Sequence, residues 1–190
     1  MSERRNNEIR QLQREIIGKR YEGATLASIA FKEANDTVKV SEWIKNKKNF
    51  LVLMGPPGVG KTYFCSAIIE WIYQEVPSFR YWHERDFFSR LRSVIGNESG
   101  EYSKEVEYMM DDFFVMYDDL GACGTNQGKF REENILAFID IRYESTKPTV
   151  ITTNMTKKAI FDTYGDRAYS RLFDKSNLII DMCALPDRRK

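Results

Sequence analysis

From residue 50 onward, two rhythms of apolar and polar positions alternate along the chain. Short apolar-rich runs bounded by turn formers read as buried strands, and Phe50-Leu51-Val52-Leu53-Met54 is the purest of them. These runs fall at 50–54, 79–84, 113–117, 149–153 and 178–182. Apolar residues at intervals of three and four predict helices over 61–75, 86–95, 102–110, 131–145 and 157–173. Strands separated by helices predict an α/β fold with three layers, a five-stranded parallel sheet covered by helices on both faces. Upstream, Ile9, Leu12 and Ile16 share one face of a charged stretch, which predicts an exposed amphipathic helix outside the core. Residues 1–20 are thus expected to form a helical arm and 21–190 a single domain. A loop over 21–36 leads to a helix with Asp36 or Thr37 as N-cap and Val40, Trp43 and Ile44 facing inward. Weakest order is expected at 96–100 and 121–128, both rich in turn formers.

Composition narrows the classes of function. With 190 residues the chain can bury one real core but not two of ordinary size. Lys+Arg number 29 against 28 Asp+Glu, so overall charge gives no argument for nucleic acid and any basic site must be local. The arm is one such place, with Arg4, Arg5, Arg10, Arg14, Lys19 and Arg20 against Glu3, Glu8 and Glu15. It suits either a partner-binding arm or a solvated helix. Cys65, Cys123 and Cys183 are far apart and odd in number, which fits free thiols in a reducing cytoplasm. No apolar run reaches transmembrane length, and the polar N-terminus does not read as a signal peptide. His83 is the only histidine, so metal or triad chemistry based on histidine lacks material, and His83 itself reads as structural.

The chemistry begins after the first strand. Gly55-Pro56-Pro57-Gly58-Val59-Gly60-Lys61-Thr62 matches G-x-x-x-x-G-K-[ST], and it stands between an apolar strand and a helical pattern, where such a loop must stand. Its glycines let the backbone wrap a phosphate, its N–H groups make an anion nest, and the helix dipole adds positive potential. Lys61 can reach β- and γ-phosphates and the Thr62 hydroxyl can ligate Mg²⁺, with Tyr63 following directly. The loop therefore predicts binding of a nucleoside triphosphate.

Ligands of a parallel sheet bind at the carboxyl ends of its strands, which sorts the acidic residues. Asp118-Asp119-Leu120-Gly121 follows the run Phe113–Tyr117, on the side of the phosphate loop. Asp111 and Asp112 precede that run, about 17 Å away, and read as surface or capping residues. Asp118 is the candidate Mg²⁺ partner, and Asp119 the candidate base or positioner of the attacking water. Asn154 closes the strand Thr149–Thr153, where its amide could hold that water, touch the γ-phosphate, or cap the next helix. Arg167 and Arg171 precede the last strand, toward the opposite edge. Either could reach a neighbouring subunit's nucleotide, or pair locally with Asp166 or Asp174.

Gly55–Thr62, Asp118-Asp119, Thr152-Thr153-Asn154 and Ser170-Arg171-Leu172 stand in the order of Walker A, Walker B, sensor 1 and arginine finger. Over roughly residues 21–183 the chain resembles AAA+ ATPases of the DnaC/DnaI/IstB-like helicase-loader group. The resemblance implies ATP and Mg²⁺ as cofactors and Asp119, Asn154 and Arg171 as catalytic residues. It also implies self-association with ATP into a ring or helix, a replicative helicase or transposase as partner, and contact with single-stranded DNA. The segment Lys19–Leu26 is similar to the lead-in that places residues near the adenine. Asp119 stands where this class usually has Glu, and its shorter reach predicts slow hydrolysis. No helical lid is expected after the last strand.

Other readings fare worse. A GTPase needs Asn-Lys-x-Asp after a strand, but Asn46-Lys47 precedes the phosphate loop and is followed by Lys48-Asn49. A small-molecule kinase needs a basic lid, and 154–170 offers only Lys157, Lys158 and Arg167. Tyr81, Trp82, Phe87 and Phe88, interleaved with Arg85, Arg90 and Arg92, could stack on single-stranded DNA, although Phe87 and Leu91 read as core. The loop Thr125–Arg131 is the better candidate for a DNA contact.

Overall fold

A computed structural model describes residues 3–29, 31, 33–47, 49–94, 109–122, 128–183 and 185–187. Strands β1 (Phe50–Met54), β2 (Phe79–His83), β3 (Phe114–Leu120), β4 (Thr149–Thr153) and β5 (Leu178–Asp181) form one sheet in the order β2-β3-β4-β1-β5. Every pairing is parallel. Helices α1 (Glu3–Ile16), α2 (Ala34–Asn46), α3 (Lys61–Ile72), α4 (Glu84–Val94), α5 (Lys129–Glu144) and α6 (Lys157–Leu172) surround it. This is the P-loop NTPase architecture expected from the pattern.

Strand alternation builds a core on each face. Leu51 and Leu53 join Phe114, Met116 and Val150 under α2 and α3, where Val40, Trp43, Ile44, Phe64 and Ile68 are buried. Phe50, Val52 and Met54 join Val115, Tyr117 and Ile151 on the other face, under α4, α5 and α6. Each fully buried Leu, Ile or Phe is worth ~1.5–3 kcal/mol, so both helical layers are held by the continuous apolar runs. Phe87, Phe88 and Leu91 belong to the second core, and Trp82 donates its indole N–H to Met109 O at 3.2 Å. Phe87 and Phe88 are fully buried, so they are packing residues.

The amino ends of the strands carry a second kind of buried group. Arg142, on α5, is fully buried. Its guanidinium donates to the carbonyls of Met110 (3.0 Å), Asp112 (2.6 Å), Phe113 (3.1 Å) and Pro148 (2.9 Å) and to Thr149 Oγ1 (2.8 Å). It thereby ties the starts of β3 and β4 to α5. Burial pushes its pKa down to about 10, against the pull of Asp112 and Asp111, so it stays charged at neutral pH. Asp111 pairs with Lys147 at 2.6 Å and is exposed as expected. Asp112 is mostly covered and pairs with Arg80, so it belongs to this structural network.

Four local expectations are corrected. Helix α1 is not outside the core. Ile9 and Gln13 are buried, and Gln13 donates to Ala24 O (2.8 Å) and Ser66 O (3.0 Å) while accepting from Gly23 N (2.7 Å). A fully bonded amide can be buried as readily as an apolar group, which a hydrophobic pattern cannot register. Helix α2 starts at Ala34, before Asp36 and Thr37, and Asp36 sits in its first turn. An acid there serves the helix dipole much as a cap would, so composition alone does not fix the start.

Strand β3 continues through Asp118 and Asp119 to Leu120, with a register irregularity against β4 between Tyr117 and Leu120. Helix α6 is broken at Gly165 (φ 79°, ψ 177°), a backbone conformation that glycine reaches without strain. The break folds the helix back, so the Phe161 and Tyr169 rings meet at 5.7 Å and Lys157 Nζ lies 4.9 Å from the Phe173 ring. In an unbroken helix the last two would stand ~24 Å apart. The expected helix over 102–110 and the loops at 96–100 and 123–127 lie outside the described residues, apart from helical Met109 and Met110.

Candidate nucleotide-binding site

The carboxyl ends of β1, β3 and β4 open onto a cavity of about 720 Å³. Pro57, Gly58, Gly60, Lys61, Thr62 and Tyr63 line it from one side and Asp118, Asp119 and Asn154 from another. The loop holds its shape through Gly58 (φ 89°) and Gly60 (φ 104°), conformations that L side chains rarely adopt. A Cβ on Gly58 would also run into the Asp187 carboxylate. Helix α3 begins at Lys61, so its N-terminal amides face the loop. Lys61 is almost fully buried, and its ammonium donates to Gly55 O (2.6 Å), Pro56 O (2.9 Å) and Asn154 Oδ1 (2.6 Å).

Asn154 turns the other end of its amide to the acid, donating Nδ2–H to Asp119 Oδ1 at 2.6 Å. One side chain just past the end of β4 therefore bridges the loop lysine and Asp119 on β3. Asp119 takes a left-handed backbone (φ 67°), which a short polar side chain tolerates better than most. Its turn is fixed on both sides. Asp119 N–H donates to Thr152 Oγ1 (2.8 Å), Thr153 Oγ1 donates to Leu120 O (2.7 Å), and Gly121 N–H donates to the buried Glu84 carboxylate (2.6 Å). The second oxygen of Asp119 faces His83 Nε2 at 3.8 Å. His83 Nδ1 accepts Arg85 N–H at 3.2 Å, so a neutral ring carries its proton on Nε2, toward the acid.

Asp118 is buried and surrounded by donors. Thr62 Oγ1 and Tyr81 OH donate to Oδ2 at 2.9 and 2.8 Å, and Thr152 Oγ1 donates to Oδ1 at 2.5 Å with Cys65 Sγ 3.9 Å away. Burial first, then the neighbouring carboxylate, holds the Tyr81 phenol above its ordinary pKa, so it remains a donor. The same two causes raise the Cys65 thiol. Among the described residues no cluster of three His, Cys, Asp or Glu side chains could hold a metal. The adjacent hydroxyl and carboxylate of Thr62 and Asp118 do fit Mg²⁺, a hard cation that takes one or two protein oxygens and completes its shell with phosphates and water.

The far wall comes from the N-terminal segment. Ile17, Arg20, Tyr21 and Ser28 line the cavity beside Tyr63. Tyr63 OH lies 2.7 Å from Ser28 Oγ, and Ser66 Oγ donates to Tyr21 O at 2.8 Å. Gln13 and Ser66 thus pin this wall to α3, and the lead-in segment lines the cavity through Arg20 and Tyr21.

The arginines are placed elsewhere. Arg171 pairs with Asp140 and with Glu144 (3.1 Å) on α5, and its guanidinium lies 5.6 Å from the centre of the Tyr143 ring. Arg167 reaches the other oxygen of Asp140 at 2.7 Å and is far more exposed, 61% against 17%. Neither lines the cavity, and their acids are Asp140 and Glu144 instead of Asp166 and Asp174. Sequence reasoning missed Tyr81, Thr152 and Glu84 as partners of the acids, and it assigned His83 to structure. For His83 and Tyr81 a signal existed, since the carboxyl end of β2 lies beside that of β3 in a parallel sheet.

These features define a P-loop nucleotide-binding site of the AAA+ kind. The family profile of the IstB-like ATP binding protein matches residues 3–175, and the chain belongs to that family. No curated protein sequence matches it. Among solved structures it is similar to the DnaC helicase loader, with 23% identity, TM-score 0.70 and coverage of 85% of this chain and 99% of that one. It is also similar to DnaI (21% identity, TM-score 0.67, 93% of each chain). A third is the replication initiator DnaA bound to AMPPCP and single-stranded DNA (17% identity, TM-score 0.67, 83% of this chain and 49% of that one). At these identities the likeness is one of fold. Among the described residues no helix is long and apolar enough to cross a membrane.

Proposed function

We propose that this chain hydrolyses ATP and acts as a helicase loader on single-stranded DNA. The observation that carries the reading is the Asn154 bridge between Lys61 and Asp119. It brings a phosphate-binding cation, a polar amide and a candidate base to one cavity wall. In the proposed reaction, water attacks the γ-phosphorus, its proton passes to Asp119, and the bond to the β-bridging oxygen breaks to leave ADP and phosphate. The loop from Gly55 to Tyr63 cradles the phosphates, Lys61 turns its donors from carbonyls to phosphate oxygens, and Asn154 positions the water. Thr62 and Asp118 would hold Mg²⁺, which would neutralise phosphate charge when bound.

Similarity to DnaC and DnaI supports the loader reading, with a replicative helicase as partner and ATP-driven self-association into a ring or helix in the cytoplasm. Membership of the IstB-like family favours a second reading, an ATPase that assists a transposase on duplex DNA. In either case Arg171 is proposed as the finger that a neighbouring subunit supplies, with Arg167 as the alternative.

Calorimetry with Mg²⁺-ATP tests the site. Lys61→Ala should weaken ATP by at least about 100-fold, the scale of a few charge-assisted hydrogen bonds. Unchanged affinity would sink the assignment. With ATP present, preference for duplex over single-stranded DNA in an anisotropy titration would favour the transposase reading.

A further inference from the structure

Three hydroxyls and a thiol already crowd the Asp118 carboxylate. A carboxylate offers about four lone-pair positions. In this chain Oδ2 takes the hydroxyls of Thr62 and Tyr81, and Oδ1 takes that of Thr152 with the Cys65 thiol close by. Mg²⁺ engages a carboxylate directly or through one of its waters, so Asp118 must give up a donor in either case.

The four donors differ in their freedom to leave. Thr152 and Cys65 are fully buried, on β4 and inside α3. Thr62 can keep its hydrogen on Asp118 while its oxygen faces a cation, because a hydroxyl donates and accepts at once. Tyr81 is partly exposed, stands at the cavity edge on β2, and its phenol makes its only described contact with a side-chain acceptor at Asp118. Resting on the ATPase reading, we infer that the Tyr81 hydroxyl is a positioning group that competes with Mg²⁺ for Asp118 and must swing off Oδ2 when Mg²⁺-ATP enters. The competition has a use: it keeps the buried carboxylate satisfied in the empty site and sets how strongly Mg²⁺ tightens ATP.

The test compares wild type with Tyr81→Phe by calorimetry, with ATP in excess Mg²⁺ and with ATP in EDTA. Without metal the two chains should bind ATP equally. With Mg²⁺ the gain in affinity should be larger by about tenfold or more in Tyr81→Phe, the size of one hydrogen bond to a charged group. An equal or smaller gain overturns the proposal. Should the variant not fold, the wild-type chain carries the test alone. The ζ-carbon resonance of Tyr81, assigned through its sequence neighbours, should move when Mg²⁺ is added to the ATP-loaded protein, and an unmoved resonance overturns the proposal. Failure of wild type to bind ATP at all removes the nucleotide reading and this inference with it. Intact ATP binding with an unchanged metal gain removes only the role of Tyr81.

Discussion

Both ends of the parallel sheet hold a buried cation that donates mainly to main-chain carbonyls. At the carboxyl end Lys61 bonds to Gly55 O, Pro56 O and Asn154. At the amino end Arg142 bonds to four carbonyls and the Thr149 hydroxyl. Saturation therefore does not mark function, since any buried charge must be satisfied. What separates them is what surrounds the bonds. Lys61 faces a large cavity, and its acceptors lie on a loop and a side chain that phosphate oxygens could replace. Arg142 is closed in by strand ends and an adjacent helix, and its planar fork matches fixed carbonyls.

The comparison breaks most sharply at Arg142. Arg142→Met should destabilise the fold by about 3–5 kcal/mol, because four carbonyls lose a charged donor at once. Chemical denaturation measures this, and a shift in midpoint as small as that of a surface variant would show the clamp to be dispensable. Lys61→Ala should move stability by no more than about 1 kcal/mol, since water in the cavity can take over its carbonyls. If Lys61→Ala unfolds the chain as readily as Arg142→Met, the distinction between a clamp and a site is wrong.

Asp119 sharpens the same contrast on the reacting side. It accepts from Asn154 through one oxygen and faces His83 with the other, in a backbone turn held by Thr152, Thr153 and Glu84. Asp119→Asn keeps the shape but cannot take a proton. Turnover should fall ~10²–10⁴-fold, the usual contribution of a general base, with ATP affinity within a few-fold of wild type. A phosphate-release assay at wild-type rate would remove Asp119 from the base role.

Legibility in the sequence followed locality. Gly55–Thr62 and the strand before it are contiguous, so one glance at spacing located the phosphate loop. The carboxyl-end rule then placed Asp118, Asp119 and Asn154 on the same side without any coordinates. Arg142, Gln13 and Glu84 were opaque for a shared reason. Each is polar and buried, and its hydrogen-bond partners lie 6 to 53 residues away, which neither hydropathy nor spacing encodes. The order β2-β3-β4-β1-β5 was hidden likewise, because the apolar content of a strand does not say which strand lies beside it and only packing decides. The break at Gly165 was written in one residue, but the helical period on both sides masked it.

Arg171 tests the comparison at its smallest scale, because it lies between the two kinds of cation. It is mostly covered like Arg142, yet its partners are the side chains of Asp140 and Glu144, which can move. Glu144 is largely exposed, so loss of this cluster in Arg171→Ala should lower stability by only about 1 kcal/mol. Its proposed second role would show in trans. Head-to-tail assembly would place one subunit's α6 against the next subunit's cavity, the kind of heterologous contact that closes rings or extends helices. Arg171 would then have to exchange Asp140 for the neighbour's γ-phosphate, with Arg167 left to hold Asp140. Mixing Arg171→Ala with Asp119→Asn decides this. Each alone should be inactive, yet in an equimolar random assembly about a quarter of interfaces join an intact Arg171 to an intact Asp119. ATPase activity should return to that fraction or less. No return, in mixtures that sedimentation shows to be co-assembled, would leave Arg171 with the structural role that its pairing with Asp140 already describes.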